Sequence, residues 1–148
     1  MEWSLKTRFS QILKFKLSIV NKIEQEIIQI NNLIFSKKQE IEALHKTISE
    51  FTPPNTKEYG LFLAFRETFS NIREKINAEN NILEMLKSRK IDTLKRFEKA
   101  KIEYEKINYL HLEEVQIMFK KAQKREANEQ DELAQIKYIS HKKAQNGV

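Results

Sequence analysis

Three histidines and two pairs of neighbouring acidic residues are the first places to look for a reactive centre in this sequence. His45, His111 and His141 lie far apart along the chain. None has a second ligand at the short helical or hairpin spacing that a bound metal needs, so each is expected on an exposed helix surface. Glu113-Glu114 and Asp131-Glu132 are adjacent. On a helix, adjacent side chains diverge, so neither pair converges on one substrate. The chain has no cysteine, which removes thiol catalysis, disulfides and thiolate metal sites and suits a reducing compartment. No glycine-rich phosphate loop is present. The expectation is a protein with no catalytic residues, no metal and no cofactor, which affects catalysis only through another protein.

The elements that carry these residues are helical. Residues 56–144 contain a single glycine, Gly60, and no proline. As one helix they would reach about 130 Å. An earlier helical stretch, residues 4–51, is little more than half as long. Within it Phe9, Leu13, Lys16, Val20, Ile23, Ile27, Ile30, Ile34, Lys37, Ile41, Leu44, Ile48 and Phe51 are spaced alternately by four and three. That strict seven-residue repeat marks a left-handed coiled coil, and only Lys16 and Lys37 interrupt its apolar character. Ile12, Leu17, Ile19, Ile28, Leu33 and Phe35 widen the stripe. Ile28 and Phe35 would either meet a further helix or lie partly covered along the hairpin groove.

Thr52-Pro53-Pro54-Asn55 is the one convincing turn. Proline cannot continue the first helix, and the residue before it avoids helical angles. Asn55 is expected as the N-cap of the second helix, with Glu58 completing a capping box. The seam resumes at Phe62, Phe65, Phe69, Ile72, Ile76, Glu79, Leu83 and Leu86. It continues through Lys90, Thr93, Phe97, Ala100, Tyr104 and Ile107, then changes phase at Leu112, Val115, Phe119, Ala122, Leu133 and Ile136. Pairing about the turn puts residue i opposite 109 minus i, with Trp3 beside Lys106. The fold expected is all-α: a two-helix antiparallel coiled-coil hairpin with a longer, overhanging second helix. It forms one domain, 1–148, with helices at about 4–51 and 57–144 and a turn at 52–56. The second helix overhangs by about 35 residues of 1.5 Å rise each.

The 148 residues carry a formal net charge of +6, with 32% of them charged. Solubility accounts for that charge. Lys87, Arg89, Lys90, Lys95, Arg96, Lys99 and Lys101 would suit a phosphate backbone, but Met85, Leu86, Ile91, Leu94 and Phe97 among them supply a packing face. A basic coiled coil that binds nucleic acid is therefore an alternative and not the leading expectation, and an acidic protein surface is an equally good partner. No run of about 18 uncharged apolar residues occurs, so no membrane span is expected. Lys14 and Lys16 interrupt the apolar residues near the start, so no signal-peptide core is expected either, and a soluble cytoplasmic protein is the default. The bare end of the second helix is expected to meet another protein or a second copy, the latter through Leu112, Val115, Phe119 and Leu133.

Three segments, in order, resemble the FliJ family, the small coiled-coil component of the bacterial flagellar export apparatus. They are the basic-aromatic opening Arg8-Phe9-Ser10-Gln11-Ile12-Leu13-Lys14-Phe15-Lys16, the stretch from Tyr59-Gly60-Leu61-Phe62 to Ile76, and the Glu-rich run Glu126-Ala127-Asn128-Glu129-Gln130-Asp131-Glu132-Leu133-Ala134. Residues 105–110 match less well. The resemblance implies a non-enzymatic stalk like that of rotary ATPases. Its joined chain ends would insert into the hexameric export ATPase and promote hydrolysis. Another part would contact the cytoplasmic region of the export-gate membrane protein, and the protein would escort substrate-specific export chaperones. Carried over, the ATPase-facing residues are Phe9, Ile12, Lys16, Phe119, Glu126, Glu129, Asp131 and Glu132. The gate-facing residues are Ile41, Leu44, Ile48, Phe62, Phe65, Phe69 and Ile72. The resemblance implies a cytoplasmic location at the inner-membrane face of the flagellar base, with membrane association only through partners. Virulence-type secretion stalks share these features.

Overall fold

The computed structural model describes residues 6–55 and 57–146. Those residues form two helices and no strand: α1, Ser10–Glu50, and α2, Tyr59–Asn146. The expected two-helix hairpin is the fold. The chain divides into two compact units, Ser18–Lys101 and the pair Met1–Leu17 with Ile102–Val148.

The unit Ser18–Lys101 holds the main core. Ile30, Ile34 and Ile41 of α1 and Leu83 of α2 are buried together, with Leu86 packed against them. Ile30 is only 2% exposed. Every α1 position of the four-three repeat, from Phe9 to Phe51, is buried or half-buried. Ile28, Leu33 and Phe35 are exposed, so the groove covers neither of the two side chains for which it was an option. Three of the repeat's polar lapses, Lys37, Glu79 and Thr93, are matched. Lys37 Nζ lies 2.6 Å from Glu79 Oε2, joining the one polar residue of the central α1 seam to the one polar residue of the facing α2 seam. Thr93, 4% exposed, donates its hydroxyl to the Arg89 carbonyl at 2.8 Å. Its own helix thereby satisfies the polar group, and its methyl is free to pack.

The pairing register differs from the expected one. Residue i lies opposite 116 minus i at Lys37–Glu79 and at the stacked Phe51 and Phe65 rings, and opposite 122 minus i at Glu26–Arg96. The cause is the connection. α1 ends at Glu50 and α2 begins only at Tyr59. The Phe62 N–H donates to the Glu58 carbonyl at 3.3 Å, which makes Glu58 the cap rather than Asn55. Thr56 lies outside the described residues. Residues 59–64 are all exposed, one and a half turns beyond Phe65. Those six helical residues, about 9 Å of α2, have no covering partner on α1. The opposite register is therefore displaced by about two turns.

Two predictions follow from this packing. Ile30→Ala should cost about 3 kcal/mol of unfolding free energy, as for other large-to-small changes in a closed core, measured by urea denaturation. The Lys37 hydrogen bond holds the Glu79 carboxyl below its ordinary 4.5, and the Glu79 bond, then that of Glu40, raises Lys37 above 10.5. The carboxylate's contribution is present above its unfolded-state value and is lost as pH falls through the lower folded one. The ammonium's is present below 10.5 and is lost as pH rises through the higher folded value. Melting temperatures of the protein and its Glu79→Gln variant should differ most near neutral pH and converge in acid.

Candidate functional site

The unit of Met1–Leu17 and Ile102–Val148 is built around a turn, Thr7 to Phe9, rather than a helix reaching back to residue 4. Thr7 Oγ1 accepts the Phe9 N–H at 3.1 Å, and the Thr7 N–H donates to Ser10 Oγ at 2.8 Å. These side-chain bonds cap α1 at Ser10 and compete with further helix. Residues 1–5, and with them the expected neighbour Trp3 of Lys106, lie outside the described residues.

The turn meets α2 through two polar contacts. Thr7 Oγ1 and His111 Nδ1 are 2.8 Å apart, and Arg8 Nε lies 3.4 Å from Glu114 Oε1. The Arg8 guanidinium also covers the Phe9 ring at 4.9 Å. His111 is 3% exposed. It is a seam residue, not the exposed histidine expected; His45 and His141 are exposed. His111 and Glu114 continue the four-three series from Tyr104 and Ile107, while Leu112 is half-buried and Val115 buried, so here the seam holds both its earlier phase and the expected new one. Polar residues matched by polar partners had the look of a lost seam. A hollow of about 110 Å³ lies beside them, lined by Ser10, Leu13, Lys14, Leu17, Asn108, His111 and Leu112. It is small beside the several hundred Å³ of a typical ligand pocket.

Val115 is the last buried side chain of α2, and residues 116–146 are exposed without exception. Phe119 is 63% exposed, and Leu133 and Ile136 are comparably open. Phe119, Glu126, Glu129, Asp131 and Glu132 all stand on this unpaired helix, whereas Phe9 and Lys16 are half-buried and Ile12 is exposed beside the turn. The single helix and the turn region thus belong to one unit.

The other set of expected site residues divides differently. Ile41 is buried in the main core, and Leu44, Ile48 and Ile72 are half-buried. Phe65 stacks on Phe51 at 4.7 Å and lies 6.1 Å from Phe69. Phe62 is exposed together with Tyr59, Leu61 and Leu63, three residues that the seam repeat did not single out because they flank it. Of the basic residues of α2, Arg96 is held by Glu26 and Lys87 by Glu84. Among the described residues no group of three or more His, Cys, Asp or Glu side chains is placed to hold a metal. No helix is long and apolar enough to cross a membrane.

Comparison with known families matches residues 5–143 to the family described as Flagellar FliJ protein. The chain belongs to the FliJ family. The match covers nearly the whole chain. FliJ proteins are components of the flagellar export apparatus. Neither the search of curated proteins nor that of solved structures gives a match.

His111→Ala should loosen the turn region selectively. Losing a buried ring and leaving the Thr7 hydroxyl unpaired costs about 2 kcal/mol. Amide hydrogen exchange should accelerate in residues 7–17, with residues 27–41 unchanged.

Proposed function

We propose that this FliJ-family chain is the central-stalk-like coiled coil of the export machinery, one domain that acts through contact and not through a reaction of its own. Its unpaired helix and the adjoining turn region engage the hexameric export ATPase through Phe9, Ile12, Lys16, Phe119, Glu126, Glu129, Asp131 and Glu132. The observation that carries this reading is the exposed end of α2, 31 residues from Gln116 to Asn146 with no side chain covered by the chain itself. An isolated helix of that length is marginal in water, and its exposed Phe119, Leu133 and Ile136 gain from a partner's surface.

A helix inside a ring stimulates hydrolysis only by touching the subunits unequally, because equal affinity for two conformations shifts neither. The end of α2 is suited to unequal contact: basic residues 120–125 are followed directly by acidic residues at 126–132. The hairpin tip, with Phe62, Phe65, Phe69 and Ile72 on α2 and Ile41, Leu44 and Ile48 on α1, is the counterpart for the cytoplasmic part of the export gate. Phe62 is the contact open to a partner there, and the half-buried residues shape the surface beneath it. Substrate-specific export chaperones are the third class of partner. The protein works at the cytoplasmic face of the inner membrane, at the flagellar base, and is held there by its partners.

The purified chain added to its cognate export ATPase should raise the hydrolysis rate. A chain ending at Val115 should keep its helical circular dichroism in the hairpin and fail to stimulate. Phe119→Ala should weaken ATPase binding about tenfold or more, as for other exposed aromatic anchors. Equal stimulation by the full and shortened chains would overturn the reading.

A further inference from the structure

The end of α2 carries two abutting blocks of opposite charge. Lys120, Lys121, Lys124 and Arg125 form the first, which contains no acid; Glu126, Glu129, Asp131 and Glu132 form the second, which contains no base. All eight are exposed, and among the described residues none of them makes an ion pair. Large apolar side chains flank the blocks symmetrically. Met118 lies seven positions before Arg125, Leu133 lies seven positions after Glu126, and both are exposed.

We propose that the end of α2 pairs with the same segment of a second copy, antiparallel, about a two-fold axis between Arg125 and Glu126. In that register Arg125 meets the copy's Glu126, Ala122 meets its Glu129, and Met118 meets its Leu133, all on one face of the helix. The two-fold repeats each contact. The two Arg125–Glu126 contacts then lie at the centre, while Met118 and Leu133 on either side of them are covered in pairs. A parallel pairing sets like charge against like along the whole length, which antiparallel pairing avoids; opposite flanking charges set orientation in coiled coils in the same way. The inference is independent of the ATPase reading, since it concerns the chain alone. Where both hold, the copy occupies the helix until the ring takes it.

Sedimentation of the full chain tests this directly. Dimers should form at low salt and weaken about tenfold or more as salt screens the charge blocks. A chain with Arg125→Glu, and another with Glu126→Lys, should each be monomeric because like charges now face each other. Mixing the two restores every opposite pair, so a one-to-one dimer should return. Because the chain has no cysteine, Met118→Cys and Leu133→Cys chains can be mixed and oxidised; the 118–133 crosslink should form and the 118–118 crosslink should not. A monomeric full chain at low salt, two reversal chains that stay apart on mixing, or a dominant 118–118 crosslink would each overturn the proposal.

Discussion

The Lys37 ammonium, 2.6 Å from the Glu79 carboxylate, sits where a coiled-coil seam would otherwise be apolar, and the alignment of the two helices depends on it. Slide one helix by a heptad and Lys37 faces Ile72 or Leu86, while Glu79 faces Ile30 or Leu44. Either arrangement leaves two charges half-buried and unpaired, an outcome that desolvation penalises strongly. The pair adds less to raw stability than an apolar layer would. Its effect is to make every other register worse.

The same logic operates at the chain-end unit with different chemistry. A threonine hydroxyl answers His111 and an arginine answers Glu114, so the polar seam positions meet polar partners and α1's leading turn is held against α2. This extends the covered part of α2 to Val115 and sets where the unpaired helix begins. Residues 120–132 of the unpaired helix carry their charge in two contiguous blocks, in contrast to the interspersed charge of the hairpin. Contiguous blocks do little for an isolated helix beyond a few side-chain pairs. They make the segment selective for what it touches.

In the unit Ser18–Lys101, the connection from Phe51 to Glu58 does two things. It closes the core with the Phe51–Phe65–Phe69 ring stack. It also carries the first turn and a half of α2 past the end of α1, which leaves Tyr59, Leu61, Phe62 and Leu63 uncovered. An exposed aromatic and aliphatic cluster at a hairpin tip costs solubility unless a partner covers it, in keeping with a protein whose work is contact.

The repeat of four and three, the lack of glycine and proline through α2, and the Pro53-Pro54 break were enough to read two helices, their unequal lengths and the α1 seam, residue for residue. Those features are local or periodic, and periodicity survives in a one-dimensional string. The partner of each polar seam residue does not survive there, because it is set by contacts more than forty positions away for Glu79 and more than a hundred for His111. Hydropathy alone therefore scored His111 and Glu114 as the end of the seam and His111 as a surface group. The register and the place where α2 becomes single were decided only when the connection and the Lys37–Glu79 pair fixed how far the two helices slide past each other. The charged and aromatic residues of the candidate surfaces were visible from the start; which of them face outward was a property of the folded pair.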